Sequence, residues 1–393
     1  MKLYGAIDLH STNNVMVVID EQDQVVYQKR LPNDLSLIAE QLAAYQASLE
    51  GIVVESTYNW YWLVDGLMEK GHRVHLANTA AIQQYNGLKY TDDHSDARWL
   101  AHILRLGVLP QGYIYPKQER AVRDLLRKRG QLVHQRTANL LSIQSQVTRN
   151  TGSSISANRI KALDVQEVDE LLPNGDLALA VKANLSVMGS ADDQIEILEK
   201  TVQERVKLRP QFRFLKTVPG IGPILALTVM LETGEIGRFA GVGNYASYCR
   251  CVGSQKISNG KRKGSGNTKN GNKYLAWAFV EAANFAIRFS PRIKSFYQRK
   301  KSKSNAIVAI KAVAHKLCSV SSYYSQTVSP ENSLPTSPLL WNGSRSSARP
   351  APVRGAEFCS QASRRTSDRR SRLDVRCGFL QSTSATRSAL DCA

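Results

Sequence analysis

Two aspartates at the start of a helical segment have the spacing in this chain that most clearly suggests chemistry. Asp93 and Asp96 are three residues apart, and the helical period continues from Ala97 through Leu100 and Leu104. On a helix they share a face with that apolar stripe, which predicts that both carboxylates point towards the protein body. Buried carboxylates repel each other unless a cation lies between them, and a divalent metal with oxygen ligands is the usual one. The alternative is that both aspartates only cap the helix and complement its dipole.

The elements that must position these acids are predicted from the apolar pattern ahead of them. A meander of three strands is followed by alternating helices and strands, which predicts an α/β domain with a mixed sheet. The strands are predicted at 3–9, 15–19, 25–31, 51–55 and 74–76, with helices over 35–49 and 60–68.

Two further acids lie where strands of that sheet end. Asp8 is near the end of the first strand and Glu55 closes the fourth. Binding sites form at the carboxyl ends of strands in such sheets, so four carboxylates from three segments are expected to converge on one metal site. Taken singly, Asp8 could be a turn residue and Glu55 a surface acid.

Composition indicates the partners. The net charge is +19 and the pI is near 9.7, values typical of proteins that bind nucleic acid or another anionic surface. The longest apolar run, 223–231, is too short to span a bilayer, so no membrane role is expected. The six cysteines form no CxxC pair, and a reducing cytoplasm is the expected compartment.

A long basic segment follows the first domain. Pro116 opens an Arg-rich helical stretch with near-heptad apolar spacing, and the same spacing resumes over 195–206. Two helices of opposite direction would form an antiparallel coiled-coil arm. The arm is either a plain helical spacer or a dimerising element with a side that faces nucleic acid.

Two motifs of the carboxy-terminal part predict contacts with phosphate. Gly220 and Gly222 precede a helix in a helix-hairpin-helix pattern, whose backbone N–H groups can meet a phosphate; a simple turn is the alternative. Residues 254–273 predict a long flexible basic loop in which Ser258 or Ser265 could be a nucleophile, unless it is only a solvated loop. Its candidate phosphate-binding side chains are Lys256, Lys261, Arg262, Lys263, Lys269 and Lys273.

The last segment, 327–393, differs from the rest of the chain. It contains ten Arg and no Lys, thirteen Ser and no sustained apolar period. This composition is typical of disorder and suggests out-of-frame or read-through coding.

Four motifs in this order resemble those of the DEDD transposases of bacterial insertion sequences, with Piv/MooV-type invertases as relatives. They are Ala6-Ile7-Asp8-Leu9-His10, Val53-Val54-Glu55-Ser56-Thr57, Tyr90-Thr91-Asp92-Asp93-His94-Ser95-Asp96-Ala97 and Val218-Pro219-Gly220-Ile221-Gly222. The resemblance covers about residues 1–325.

The resemblance implies a RuvC-like, ribonuclease-H-type α/β domain over 1–115, a coiled-coil arm over 116–210 and a mainly α transposase domain over 211–326. It implies that Asp8, Glu55, Asp93 and Asp96 hold Mg²⁺, with Mn²⁺ as a substitute. It also implies a nucleophilic serine, which we place at Ser258 rather than at Ser254 or Ser265.

The function so implied is DNA strand cleavage and transfer through a phosphoserine link, by a cytoplasmic, nucleoid-associated enzyme. Its expected partners are target and element DNA, an element-encoded noncoding guide RNA, and further copies of the chain in a dimer or tetramer. Two alternatives stay open: a structure-selective RuvC-like nuclease in which water is the nucleophile, and a non-catalytic nucleic-acid-binding remnant of a decayed element.

Overall fold

The first part of the chain is a mixed sheet between two layers of helix. A computed structural model describes residues 1–82, 92–264 and 270–327, with side chains described as far as Ser322. The elements of this part are β1 (Leu3–Leu9), β2 (Asn13–Ile19), β3 (Val25–Pro32), α1 (Leu35–Ala43), β4 (Leu49–Glu55), α2 (Tyr61–Glu69), β5 (Val74–Ala77) and α3 (Asp93–Arg105).

The five strands lie in the order β3-β2-β1-β4-β5. The meander β1-β2-β3 is antiparallel, whereas β1, β4 and β5 run parallel. Ile7 pairs with Val54, so the residues that follow them, Asp8 and Glu55, lie at the same, carboxyl-terminal edge of the sheet. The mixed α/β fold expected of this part is therefore confirmed.

Side chains of the central strands alternate between two cores. Ile7 and Val54 face the layer formed by α1 and α2. Ala6 and Val53 face the opposite layer, where they pack against Leu100 of α3. Because both faces of the central strands are covered, these strands are almost continuously apolar. Alternation also places Asp8 and Glu55, two residues beyond Ala6 and Val53, on the α3 side.

The helix predicted over 35–49 is shorter than expected. It ends at Ala43, a 3₁₀ turn follows at Gln46–Ser48, and Leu49 already pairs with Leu3 of β1. The helical spacing of apolar residues continues to Tyr45, but the chain leaves the helix earlier because Leu49 must pair with β1.

Two long helices form the arm. They are α4 (Lys117–Thr151) and α7 (Gly175–Val206), joined through α5 (Ala157–Lys161) and α6 (Val165–Leu171). Arg129 pairs with Glu199 and Arg136 with Asp192, while Asn184 donates to Ser142, so later residues of one helix meet earlier residues of the other. The helices are thus antiparallel. A supercoil and a dimerising role of the arm stay predictions.

The carboxy-terminal part is mainly helical. Its elements are α8 (Pro210–Leu215), α9 (Pro223–Thr233), α10 (Val242–Tyr248), β6 (Lys256–Ser258), β7 (Lys261–Gly264), α11 (Lys273–Phe289), α12 (Pro291–Lys301) and α13 (Ala306–Thr327). None of the helices in the described ranges is long and apolar enough to cross a bilayer.

The loop predicted over 254–273 was wrong in its first half. Residues 256–264 form an antiparallel hairpin in which Ser258 pairs with Lys261. Asn259 and Gly260 form its turn with φ of 49° and 69°. Asn-Gly is the dipeptide that two-residue hairpin turns prefer, because both positions need a positive φ.

Buried polar contacts join the first domain and the arm to the carboxy-terminal helices. The Tyr115 hydroxyl donates to the Leu231 carbonyl at 2.6 Å. The Arg127 guanidinium donates twice to the buried Glu232 carboxylate, at 2.7 and 2.8 Å, and Asn272 donates to the same carboxylate. The described residues all belong to one compact unit of the chain.

Several predictions fall outside the described residues. They concern Lys89, Tyr90 and Thr91 before α3, Ser265 and Lys269 of the predicted loop, and the segment from 328 to 393.

Candidate active site

Three of the four predicted acids line one cavity at the edge of the sheet. Asp8 reaches it from β1, Glu55 from β4 and Asp96 from the first turn of α3. The cavity is about 240 Å³ and is lined by Asp8, Glu55, Thr79, Ile82, Asp96, Trp99 and Leu100. The acids come from three segments, as expected from the carboxyl ends of parallel strands.

The start of α3 is fixed by a capping box. The Asp92 carboxylate accepts the Ser95 backbone N–H, and the Ser95 hydroxyl faces back to the Asp92 backbone. Asp92 therefore satisfies the open end of the helix, which accounts for it without a metal. The cap also sets which residues of the first turn face the sheet, and Asp96 is one of them.

The cavity is electrostatically costly for three carboxylates. The pKa of Glu55 is raised from 4.5 to about 8, first by burial, then by a hydrogen bond with Asp8 and by the charges of Asp8 and Asp96. Asp8 is itself only 4% exposed. A divalent cation among these carboxylates would neutralise their negative charge in place of a proton. The residues therefore fit a hard metal with oxygen ligands.

Asp93 does not line this cavity. Its carboxylate is 2.6 Å from Arg30 Nη2 and 3.2 Å from His10 Nε2, and its side chain is 40% exposed. The hydrogen bond from Arg30 is the main reason that the pKa of Asp93 is lowered. The expectation that Asp93 and Asp96 point the same way was too simple, because three helical residues turn about 300°, which leaves the two directions about 60° apart.

His10 is the site residue that sequence reasoning missed. Its Nε2 atom is 3.5 Å from Asp8 Oδ2 and 3.2 Å from Asp93 Oδ2, so it links Asp93 to Asp8. One ligand atom from each of these three residues lies within 4.8 Å of the others. A signal existed: alternate residues of an extended strand point the same way, and His10 follows Asp8 by two.

Ser258 lies on the exposed β6–β7 hairpin. The basic side chains Lys256, Lys261, Arg262 and Lys263 are exposed there with it, and Lys273 is exposed at the start of α11. Ser258 is not among the residues that line the acid cavity. Within the described ranges, the hairpin is a basic surface that carries a solvent-accessible hydroxyl.

The two glycines of the predicted helix-hairpin-helix motif differ. Gly220 has φ of +84°, and a Cβ there would be 2.2 Å from the Ala282 carbonyl oxygen of α11, so close packing alone requires glycine. Gly222 is exposed at the start of α9 and has open space around it. Gly222 exposes its backbone to solvent, whereas Gly220 is half-buried against α11.

Two family models match the chain. One, a transposase model of the IS110 DEDD type, matches residues 6–150; the other, described as transposase IS116/IS110/IS902 family, matches residues 212–298. The first spans the sheet, the acid cavity and most of α4. The second spans the helices around the Ser258 hairpin.

Two curated relatives are similar to the chain. A protein of Sinorhizobium fredii named as a transposase, y4qE, is 26% identical over 244 residues, which are 60% of this chain and 57% of that protein. An uncharacterised 43.6 kDa protein of insertion element IS110 from Streptomyces coelicolor is 24% identical over 143 residues, which are 36% of this chain and 35% of that protein. Each alignment thus spans less than two thirds of the relative.

Proposed function

We propose that this chain, an IS110-family transposase by its two domains, cleaves and joins DNA strands at the acid cavity. The observation that supports this most is the convergence of Asp8, Glu55 and Asp96, with the pKa of Glu55 raised to about 8. Three carboxylates at one sheet edge are destabilising in the absence of a cation. Such strain is typical of sites selected for chemistry rather than for stability.

In this proposal Asp8, Glu55, Asp93 and Asp96 would hold a divalent cation, Mg²⁺ or its substitute Mn²⁺. When bound, the cation would neutralise negative charge on the scissile phosphate. The protein's own part is to fix the carboxylates. Asp8 and Glu55 are held by strand pairing, and Asp96 is held by α3, whose apolar face packs on the sheet. Little reorganisation is then needed when the phosphate arrives.

Ser258 is the proposed nucleophile. Its Oγ attacks phosphorus and loses the hydroxyl proton to solvent, an Oγ–P bond forms, one P–O bond of the DNA backbone breaks, and the departing deoxyribose oxygen takes up a proton from solvent. A phosphoserine link is left, so the strand can be rejoined without outside energy. Lys256, Lys261, Arg262 and Lys263 lie on the same hairpin and would hold the phosphate through charge.

The proposed partners follow from charge and family. DNA at the element ends and at the target is the substrate, and a noncoding guide RNA is the proposed source of sequence recognition. The exposed hairpin, Lys273 and the basic side of the arm would contact phosphates, and Gly222 offers one exposed backbone N–H at a helix start. A dimer or tetramer would allow a hairpin of one copy to serve the acids of another.

The test is adduct formation on labelled DNA with Mg²⁺, analysed on a denaturing gel. Wild type should form a covalent protein–DNA adduct, and Ser258→Ala should bind DNA but form none. Ser265→Ala, a serine from the same basic segment, is the matched control and should keep the adduct. An adduct that persists in Ser258→Ala would refute the assignment of this serine.

A structure-selective nuclease is the second candidate, favoured by the absence of Ser258 from the residues that line the acid cavity. It predicts cleaved DNA with no adduct in wild type, and equal cleavage by Ser258→Ala. The same gel therefore separates the two functions.

A further inference from the structure

We propose that His10 is a nitrogen ligand of the divalent cation, bound together with Asp8 and Asp93, and that it biases the site towards Mn²⁺ over Mg²⁺. This inference rests on the proposed function, since it assigns a further ligand to the same site. It separates the ligands into two groups. The oxygen-only group is Glu55 with Asp96, and the mixed group is His10 with Asp8 and Asp93.

The distances suit ligation. His10 Nε2 is 3.5 Å from Asp8 Oδ2 and 3.2 Å from Asp93 Oδ2. Two ligand atoms bound at right angles, each about 2.1 Å from one cation, lie about 3.0 Å apart. The three side chains thus already have nearly the separation that neighbouring ligands need, and small rotations would complete it.

The Nε2 atom has two carboxylate neighbours but no well-formed hydrogen bond within the described residues. The atom is itself buried. A buried ring nitrogen without a hydrogen bond costs free energy. A metal ion is the partner that a neutral imidazole accepts most readily.

The backbone holds His10 in place. Its N–H donates to the Asn13 carbonyl at 2.9 Å, and its carbonyl accepts the side-chain amides of Asn33 and Asn59, each at 3.0 Å. Three separate segments therefore fix this one residue just beyond the end of β1. Pre-organisation of this kind is typical of ligands rather than of exposed loop residues.

Arg30 explains why the mixed group differs from the cavity. Its guanidinium contacts Asp93 at 2.6 Å and Asn13 at 2.7 Å, so part of the negative charge near Asp93 is already neutralised. A neutral nitrogen donor adds a ligand without adding charge. Imidazole suits transition metals better than it suits Mg²⁺, which prefers oxygen and water.

The experiment uses the full chain and Mn²⁺ as the probe. Electron paramagnetic resonance measures the Mn²⁺ dissociation constant, and its pulsed form measures coupling of the bound ion to nitrogen. The variants are His10→Asn and, as the matched control, His94→Asn, since His94 adjoins Asp93 but contacts Gln28. Wild type labelled with ¹⁵N-histidine gives the same information without a substitution.

We expect nitrogen coupling in wild type, a change from ¹⁴N to ¹⁵N coupling on labelling, and no coupling in His10→Asn. The Mn²⁺ dissociation constant should rise at least about tenfold in His10→Asn, the lower end of the loss seen even for residues that only orient ligands. The Mg²⁺ dissociation constant of His10→Asn, measured by competition with Mn²⁺, should rise by a smaller factor. His94→Asn should match wild type in both dissociation constants.

Bound Mn²⁺ without histidine coupling in wild type would overturn the role of His10 and leave the carboxylate site standing. Coupling that persists in His10→Asn would also overturn it. If Mn²⁺ binds wild type and Asp8→Asn equally, the carboxylate site of the proposed function fails as well, so the two failures are distinguishable.

Discussion

The acid cavity and the serine hairpin are built in opposite ways. The acids lie on β1, β4 and α3, which share a buried core, so packing fixes the carboxylates before any substrate binds. Ser258 lies on strands of three and four residues whose side chains are all exposed. Packing therefore cannot position the hydroxyl, and we infer that bound nucleic acid or a neighbouring copy does so.

The largest expected effect comes from a substitution in the packed acid cavity. Asp8→Asn removes one negative charge from the cavity and keeps the shape of the side chain. DNA strand transfer should be abolished while the melting temperature is unchanged or higher, because carboxylate repulsion is relieved. Glu40→Gln, an equivalent change at an exposed position of α1, is the control and should retain activity. Full activity of Asp8→Asn would contradict the assignment.

The second prediction concerns the base of the serine-bearing segment. Glu232 is 4% exposed and binds both Arg127 and Asn272, the residue that caps α11 just after that segment. Glu232→Ala leaves the partly buried Arg127 guanidinium with only the more distant Asp124 carboxylate, 4.0 Å away, as a charged partner. The loss should lower the unfolding free energy by roughly 3–5 kcal/mol in urea titrations.

Lys117 and Glu69 form an exposed ion pair that serves as the control. Glu69→Ala should leave the unfolding free energy nearly unchanged, because water screens exposed pairs. Equal losses in the two variants would show that the Glu232 network does not anchor the segment.

The third prediction is a pH dependence of the metal-free protein. Because the pKa of Glu55 is raised from 4.5 to about 8, the folded state keeps a proton that the unfolded state releases between these values. The unfolding free energy should therefore fall as pH rises from about 4.5 to 8, with the full loss present above pH 8. Thermal unfolding in EDTA measures this.

Glu55→Gln has no such proton and should show a flatter pH profile. Only the deprotonated Glu55 carboxylate binds a metal, and deprotonation increases as pH rises towards 8. Added Mn²⁺ should therefore raise the melting temperature of wild type more at pH 8 than at lower pH. A wild-type profile as flat as that of Glu55→Gln would show that the cavity does not perturb Glu55.

The smallest expected effect concerns the segment after α13. Its lysine-free, aperiodic sequence predicts that truncation after Thr327 leaves the melting temperature and the strand transfer unchanged. A marked drop in melting temperature would show that this segment packs on the rest of the chain.

The sheet and the three cavity acids were predictable because each depends on local pattern. Apolar runs locate the strands, and parallel pairing brings Asp8 and Glu55 to one edge. The position of Asp93 beside the acid cavity, rather than among its lining residues, was not predictable. Its partner Arg30 lies 63 residues away on β3, and no local pattern indicates that contact.

The hairpin shows a different limit. The Asn259-Gly260 turn was available in the sequence, but the surrounding Lys and Gly residues lack the alternating apolar pattern by which strands are usually predicted. His10 was also available, as the second residue after Asp8. Its role depends on Asn33 and Asn59, which lie in separate connections and show no periodicity that would link them to it.

Anomalous scattering from crystals soaked in Mn²⁺ would locate the cation directly. We expect a peak within coordination distance of Asp8, near Glu55 and Asp96, that disappears in crystals of Asp8→Asn and persists in those of Glu40→Gln. Well-ordered carboxylates in the arrangement described, with no peak among them at saturating Mn²⁺, would contradict the proposed metal site.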